Sequence, residues 1–283
     1  MIGSRFIDWL RSLTAKSTTI DGTEQLLIDS SGLPQRSLLS DLLRYGGGTD
    51  TRVTTIGNTN IHQRNDGAMW LEVTGQTIGN TRGAGAFDWQ PIRTNATFVA
   101  SGPNTFVYGV NCTATEQYST VFGWHGSARN KSMLAIGSAP ASGVGQTVLQ
   151  PFYTVTTTNA LTPINITGTA TDRMVIPAAD SISFIGLVTA MALDSGTTYK
   201  VKAWEIKGVI MRDTATATTT RIVGTPTINV LAQDSDGTAT PSTWSITGIT
   251  ADTTNGSLSI NFVGQNGVTI RVQASLFYSQ VGF

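Results

Sequence analysis

Hydrophobic and polar residues alternate over short segments in the C-terminal half of the chain. Leu258, Ile260 and Phe262 are separated by polar neighbours, and the same pattern returns over residues 268–276 after a turn at residues 264–267. A period of two predicts β-strands, because successive side chains of a strand point to opposite faces. Several such strands at about ten-residue spacing predict an antiparallel β-sandwich.

Helical spacing is found near the N-terminus instead. Residues 5–13 predict a short amphipathic helix, and Ser37 is a candidate N-cap for a second helix that begins with Leu38. Three consecutive glycines at residues 46–48 then interrupt the pattern. These two helices are too short to bury their apolar side chains alone, so the side chains must pack on the rest of the chain, on sister chains or on a larger assembly. The apolar residues concerned are Phe6, Trp9, Leu10, Leu39, Leu42 and Leu43.

A fourteen-residue repeat occupies the middle of the chain. Residues 104–109 read Asn-Thr-Phe-Val-Tyr-Gly, and two similar segments that also end in glycine follow at residues 118–123 and 132–137. A unit this short has room for two strands and two turns but not for a helix. The repeat therefore predicts the coils of a β-solenoid.

The repeat also predicts how the coils stack. Gly109, Gly123 and Gly137 are expected at the corners, where the backbone turns tightly. Alternation along the strands places six residues in one column, which we expect to be the core of the β-roll: Phe106, Tyr108, Thr120, Phe122, Leu134 and Ile136. So few coils enclose little core, which indicates that the chain oligomerises.

Composition excludes several classes of function. Eighteen basic and 18 acidic residues give zero net charge, so the chain lacks the basic surface that nucleic-acid binding needs. No run of 18 apolar residues is present, which excludes a membrane-spanning helix. Only 13% of residues are charged, whereas 45 are Thr and 30 are Gly. Such a chain suits β-structure that stacks against identical copies, because like charges would repel across a symmetry axis.

Cysteine usage and the N-terminus bear on the compartment. The single cysteine, Cys112, excludes an intrachain disulfide and a thiolate metal cluster. Arg5, Asp8 and Arg11 interrupt the apolar N-terminal residues, so no secretory signal is predicted. We therefore expect the protein to fold first in a cytoplasm.

The repeat resembles the head repeats of trimeric autotransporter adhesins, which read roughly Asn-Ser-Val-Ala-Ile-Gly followed by Ser-x-Ala. Residues 80–102 resemble a segment that precedes such repeats in bacteriophage tail proteins, and residues 23–45 resemble an N-terminal strand, turn and Leu-rich helix of phage tail fibres. Four segments between residues 176 and 256 resemble the terminal β-domain of the same phage proteins. The third repeat departs from the pattern, with Ala141-Ser142 where Ser-Ala is expected.

This resemblance implies a homotrimeric phage tail fibre or tail spike, located in the virion tail and assembled in the host cytoplasm. It implies a virion-attachment element over residues 1–48, a β-rich connector over 49–95, β-roll repeats over 96–147 and a β-sandwich tip over 148–283. The six N-terminal apolar residues would contact the tail or adaptor and portal-proximal proteins, and the tip would bind host surface glycan. Neither a cofactor nor a metal is expected.

Two alternatives remain open from the sequence. The first is a capsid decoration protein, cement protein or head-fibre trimer. The second is a glycan-cleaving tail spike, since many tail spikes cleave glycans with two carboxylic acids.

The sequence contains no persuasive catalytic motif. His62 and His125 are far apart, and His125 falls at a predicted repeat corner. Asp234-Ser235-Asp236-Gly237 starts like a calcium loop, but its twelfth position is Ser245 rather than Glu, so a turn is expected. Three further acids near predicted turns are Asp172, Asp180 and Asp194. We predict a binding protein rather than an enzyme.

The C-terminal aromatic residues allow two interpretations. Either they form the core, or they form a platform on which sugars stack at the distal tip. Under the second interpretation the candidate receptor-binding residues are Trp204, Trp244 and Tyr278. Lys200, Lys202 and Lys207 are expected to form a solvated strand face.

Overall fold

The computed structural model confirms that the chain is mainly β and contains a β-solenoid of about five turns. It describes residues 25–29, 34–38, 52–56, 59–64, 66–73, 77, 79–138 and 145–283. Two compact units divide the chain, residues 1–53 and residues 54–283. Within the described residues, helix is limited to two 3-10 turns, Ala217–Thr219 and Pro241–Thr243. None of the described segments forms a helix of the length and apolarity that crossing a membrane requires.

In the first unit, two strands form an antiparallel pair. Strand β1, Gln25–Asp29, pairs with β2, Pro34–Leu38. Ser37 and Leu38 therefore belong to a strand, which corrects the prediction that Ser37 caps a helix starting at Leu38. Their position opposite Leu26 and Gln25 in the ladder explains the difference, because ladder pairing satisfies their backbone groups. Residues 5–13 and the remainder of the second predicted helix lie outside the described residues.

The remaining strands of the described residues follow in chain order. They are β3 Arg52–Ile56, β4 Thr59–Gln63, β5 Met69–Val73, β6 Phe87–Ile92, β7 Phe106–Val110, β8 Thr113–Ala114, β9 Thr120–Trp124, β10 Ser127–Ala128, β11 Leu134–Ser138, β12 Gly145–Thr156, β13 Leu161–Pro163, β14 Met174–Val175, β15 Asp180–Ser195, β16 Thr198–Arg212, β17 Thr220–Gln233, β18 Ser245–Asp252, β19 Ser257–Val263 and β20 Ile270–Gly282. Most of them join one twelve-stranded sheet in the order β17-β16-β15-β20-β12-β11-β9-β7-β6-β5-β4-β3.

The solenoid is the parallel part of this sheet. Strands β5, β6, β7, β9 and β11 lie side by side in parallel, and β7, β9 and β11 pair with a register of fourteen residues, so that Phe106 lies opposite Thr120 and Thr120 opposite Leu134. The short strands β8 and β10 pair in the same way on another side of the coil. The parallel strands begin at Met69, well before the repeat that the sequence shows.

The corners of the coils differ from the prediction. Non-glycine residues with positive φ mark two corners in each coil, and both sets recur at fourteen-residue spacing. The first corner, just before β7, β9 and β11, holds Asn104, Tyr118 and Ser132. The second corner, just after β7 and β9, holds Asn111 and His125. His125 thus lies at a corner, as predicted. The three repeat glycines instead lie inside β7, β9 and β11, and Gly109 and Gly123 precede the second corner by two residues.

Close approach between coils explains these glycines. A Cβ atom on Gly109 would lie 1.9 Å from the carbonyl oxygen of Gly123, and one on Gly123 would lie 2.4 Å from that of Gly137. Since the obstacle is backbone, a side chain at either position would push adjacent coils apart.

The interior of the coil is narrow. Val107, Val121 and Ala135 point inward and are fully buried, as are Cys112 and the alanines of the short strands. The six residues predicted as the β-roll core lie on the opposite face of the same strands, so the prediction of the core face is wrong for the single chain. Along these three strands the close spacing of the coil walls admits only small inward side chains, which leaves the larger ones outside.

The long antiparallel strands extend the solenoid sheet. Strand β12 pairs antiparallel with β11, and β20, β15, β16 and β17 follow across the sheet. Strands β16 and β17 pair with a register shift between Ala203 and Trp204. A second register shift spans residues 224–226, and β17 continues through Pro226 as a single strand.

A four-stranded sheet covers one face of this extension. Strand β19 pairs with β13, β14 and β18. Its Phe262 packs edge to face on Trp204 of β16, with 6.0 Å between the ring centroids. The largest fully buried side chains lie between the two sheets or at their ends: Trp204, Trp244, Tyr278, Phe152, Phe262, Met174 and Ile176. The core of the C-terminal part is therefore aromatic and apolar, whereas strands β7, β9 and β11 point small residues into the coil.

Candidate functional site

The predicted receptor-binding residues are buried. Trp204, Trp244 and Tyr278 have 2%, 0% and 1% of their surface exposed, so they pack in the core and cannot form a sugar platform. Trp204 and Tyr278 occupy strand positions that face the second sheet, and Trp244 follows the 3-10 turn Pro241–Thr243. Burial also raises the pKa of the Tyr278 hydroxyl.

The three lysines do not form a common solvated face. Lys202 is buried, and its ammonium group donates hydrogen bonds to the carbonyl oxygens of Pro241 at 3.0 Å and Trp244 at 2.7 Å. Burial lowers the pKa of this lysine. Lys207 is exposed and pairs with Glu205 at 3.1 Å. Because Lys202 ties a loop to the sheet, its role is structural.

One face of the twelve-stranded sheet is apolar and uncovered. The six predicted β-roll core residues lie on this face in two rows. The row that ends at Leu134 continues across the sheet with apolar residues, Leu149, Phe277 and Ile185, whereas the row that ends at Ile136 continues with Thr147, Ser279 and Ser183. We call this surface the outer face. Its large exposed apolar side chains are Tyr108, Phe122, Ile136, Leu149, Tyr153, Val155, Ile185, Leu187, Met191, Leu193, Phe277 and Val281.

Charge is scarce on the outer face. Along β12, β15 and β20 the outward positions hold Arg271 as their single charged residue. On β16 the pair Glu205 and Lys207 adds no net charge. A contiguous apolar surface of this extent on a polar protein is typical of an interaction site.

A shallow groove of about 560 Å³ lies within the outer face. Ile185, Phe277 and Val209 line it together with Val223 and Gly224 of β17. Gly224 has φ +73° and nothing within 4 Å of a built Cβ atom, so the groove is open at this end. Its dimensions suit an apolar side chain.

A second, polar cavity of about 190 Å³ lies between the solenoid corners and the loop that precedes β14. We call it the polar cleft, and its lining residues are Glu116, Arg129, Asn130, Lys131, Ile166, Thr171, Asp172, Arg173 and Val175. Lys131 pairs with Asp172 at 2.9 Å, and Arg173 pairs with Asp252. The hydroxyl of Thr167 also donates to Asp172, and this bond, together with that from Lys131, lowers the pKa of the Asp172 carboxyl.

Two charged groups of the polar cleft are uncommitted. Within the described residues, the Glu116 carboxylate has no hydrogen-bond partner, and Arg129 uses only its Nε, which donates to Ser127 at 3.0 Å. The cleft therefore presents free acceptors and free donors beside a fixed ion pair, which suits a ligand that carries several hydroxyl groups.

A buried ionic cluster went unnoticed in the sequence. The Asp88 carboxylate is fully buried and accepts hydrogen bonds from Arg82 Nε at 2.8 Å, Arg93 Nη2 at 2.9 Å and Gln90 Nε2 at 2.8 Å. Gln90 in turn accepts from the backbone N–H of Cys112 at 2.6 Å. Polar and apolar residues alternate in the sequence over residues 87–90, Phe-Asp-Trp-Gln. This pattern does not show whether the polar residues point to solvent or into the coil.

The remaining candidate acids accept hydrogen bonds from nearby groups, while His62 lies 3.0 Å from Glu72 and His125 lies 3.1 Å from Asn111. Asp236 accepts from the backbone and hydroxyl of Ser242, and Asp234 from the backbone N–H of Val201. Asp194 accepts from Ala239, and Asp180 from Gln280. In the described part of the chain, no group of three or more His, Cys, Asp or Glu residues could hold a metal ion.

The predicted virion-attachment residues lie outside the described residues. These are Phe6, Trp9, Leu10, Leu39, Leu42 and Leu43. Their role stays a prediction from the sequence.

Comparisons with known proteins give faint likenesses. No family model matches the chain, and no curated protein matches it. Among solved structures, it is similar to the tailspike protein of Acinetobacter phage vB_ApiP_P1, at 12% identity and a TM-score of 0.20, over 71% of this chain and 45% of that one. It is also similar to the tailspike protein of Acinetobacter baumannii phage AM24, at 11% identity and a TM-score of 0.20, over 70% of this chain and 40% of that one.

The chain spans less than half of the length of either tailspike structure. A superposition at this level defines neither a site nor an activity.

Proposed function

We propose that the chain is the subunit of a homotrimeric phage tail spike or tail fibre, which joins the virion tail through its N-terminal residues and binds the host surface. The observation that carries this proposal is the stack of parallel coils joined by one sheet to an antiparallel β-domain. Stacked coils give a stiff, elongated element. The resemblance of the repeat to trimeric adhesin head repeats supports the same conclusion.

Competition for the host surface tests this function. Added in excess to cells of the parent phage's host, the purified protein is expected to lower the rate at which that phage adsorbs, because both occupy the same receptor. An unchanged adsorption rate, together with no binding of the labelled protein to the cells, would contradict the proposal.

We assign the host glycan to the polar cleft. The buried aromatic residues are not available to it, and Glu116 and Arg129 offer uncommitted hydrogen-bonding groups. A sugar presents hydroxyl groups, and in acidic glycans carboxylates, which an arginine side chain binds in a bidentate manner.

Arginine substitution tests this assignment. Arg129→Ala is expected to weaken binding to surface polysaccharide purified from the host about tenfold, a loss of about 1.4 kcal/mol. Arg221→Ala is the matched control, because Arg221 is an exposed arginine paired with Asp213 at 3.1 Å and lies outside the cleft. Equal affinities of the two variants, measured by calorimetry, would refute the assignment.

Glycan cleavage is the second candidate function, because two carboxylates, Glu116 and Asp172, line the same cleft. The lowered pKa of Asp172 keeps this group ionised, as a base or nucleophile must be. Incubation with host polysaccharide decides between the two functions. A binding protein leaves the polymer intact, whereas oligosaccharides released by the native protein but not by Glu116→Gln would establish cleavage.

A further inference from the structure

The outer face has no partner within the described part of the chain, although its opposite face is covered by the second sheet and the coil interior. Leu187 is 58% exposed, Phe277 52% and Val281 57%. Leaving such side chains in water forgoes about 25 cal/mol for each Å² of apolar surface that a partner could cover.

We propose that the outer face is the surface through which three copies of this chain pack about a common axis. The proposal rests on the homotrimer proposed above and assigns its interface. Leu149, Ile185 and Phe277 would lie at its centre, because they form one unbroken row across β12, β20 and β15.

Electrostatics favours a second copy over an unrelated partner. Identical chains around a threefold axis bring identical residues close together, so any net charge on the face would repel itself. The outer face keeps this cost small: Glu205 and Lys207 neutralise each other, Arg221 pairs with Asp213, and Arg271 adds one positive charge in each copy. A glycan or another polar ligand would require the opposite, namely converging donors and acceptors.

The continuity of the face also favours a copy of the chain. The same face runs from Phe106 in the solenoid to Ile185 in the C-terminal part without interruption. A partner that covers it must be equally long and equally flat. A second copy lying in parallel offers a surface of the same length and shape.

The groove beside Phe277 supplies a fitting site. Its lining combines apolar side chains, Ile185, Val209 and Val223, with polar ones at its edges, and its volume of about 560 Å³ accommodates a large side chain. Apolar side chains project from the neighbouring part of the face, so a copy brings its own occupant. A side chain that fills the groove would give the interface the close packing that interface cores show.

A pair of leucine substitutions tests the interface by sedimentation velocity. Leu187 and Leu161 are 58% and 60% exposed, but Leu161 lies on β13 of the second sheet, away from the outer face. Leu187→Glu is expected to shift the protein from trimer to monomer, while Leu161→Glu stays trimeric. If native protein and both variants are trimeric, the interface lies elsewhere, although the homotrimer stands. A monomeric native protein would overturn both proposals.

Thiol labelling gives a test that does not require the trimer to be broken. Cys112 is the only cysteine and is buried, so a maleimide reports on an introduced cysteine. In the assembled protein, Leu187→Cys is expected to react at least tenfold more slowly than Leu161→Cys, and dilution in mild denaturant should remove the difference. Equal rates in the native protein would overturn the proposed interface.

Discussion

Asp88 shows how a single residue organises the first coils. Its carboxylate has no exposed surface and lies between Arg82 and Arg93, which are 5% and 3% exposed. Arg82 also lies over the ring of Trp70 at 5.1 Å. Removing the anion would leave two buried guanidinium groups without a counter-charge, and this loss costs more than the loss of an ion pair in water.

Asp88→Asn is therefore expected to lower the free energy of unfolding by about 3–5 kcal/mol. Asp213→Asn provides the control, because Asp213 forms an exposed pair with Arg221 and should contribute less than about 1 kcal/mol. Urea denaturation of both variants measures the difference. Similar midpoints for the two would show that the buried cluster does not stabilise the fold.

Asp180 gives the protein a defined dependence on pH. Burial raises the pKa of this carboxyl above its ordinary value of 3.8, although Gln280 donates a hydrogen bond to it. The folded chain therefore binds the proton more tightly than the unfolded chain. The stability that this residue contributes is complete below pH 3.8 and falls as the pH rises through the folded pKa.

Asp180→Asn is expected to raise the melting temperature at pH 7 by about 2–4 °C, with the gain shrinking as the pH falls towards the ordinary carboxyl pKa. Asp236→Asn should behave in the opposite way, because hydrogen bonds from Ser242 lower the pKa of Asp236. Melting curves from pH 4 to pH 7 check both signs. A gain for Asp180→Asn that does not vary with pH would contradict the assignment.

At the scale of the coil, glycine sets the distance between strands. Gly123 has φ +96°, and a Cβ atom there would lie 2.4 Å from a backbone oxygen of the next coil. We expect Gly123→Ala to destabilise the protein by about 2 kcal/mol or more, since both the strained φ and the contact oppose it. Gly196→Ala isolates the first cause, because Gly196 has φ +56° with nothing within 4 Å. Equal losses in thermal unfolding would show that coil spacing is not involved.

The register of the coils could be predicted from the sequence, but the direction of their faces could not. Repetition at fourteen residues identifies Phe106, Thr120 and Leu134 as neighbours, and the structure pairs them. Both faces of these strands are apolar, however, so alternation does not indicate which is inside. The width of the coil decides, and that width depends on the backbone rather than on hydrophobicity.

The predictions that Trp204 binds a receptor and that Lys202 faces solvent were wrong for a similar reason. Trp204 and Lys202 have the same strand phase, and both face the second sheet. A lysine within a strand indicates solvent, but the carbonyl acceptors that make its burial possible come from Pro241 and Trp244, about forty residues away. The polar cleft likewise joins Glu116 to Asp172 across separate segments, a proximity that only the tertiary structure reveals.

On the scale of the whole molecule, composition and architecture agree. Zero net charge, few charged residues and 45 threonines favour a chain that stacks against its own copies. The outer face, which carries few charged residues, is where we propose this stacking. Under that proposal the polar cleft at the solenoid corners lies outside the interface and stays accessible to the proposed glycan.

The central claim is that this chain is a trimeric subunit of a phage tail, and a subnanometre density map of phage particles that contain the chain tests it most directly. We predict threefold density attached to the tail, in which three copies of this chain place their outer faces towards the axis. Density for the chain on the capsid, or as isolated single copies on the tail, would contradict the account.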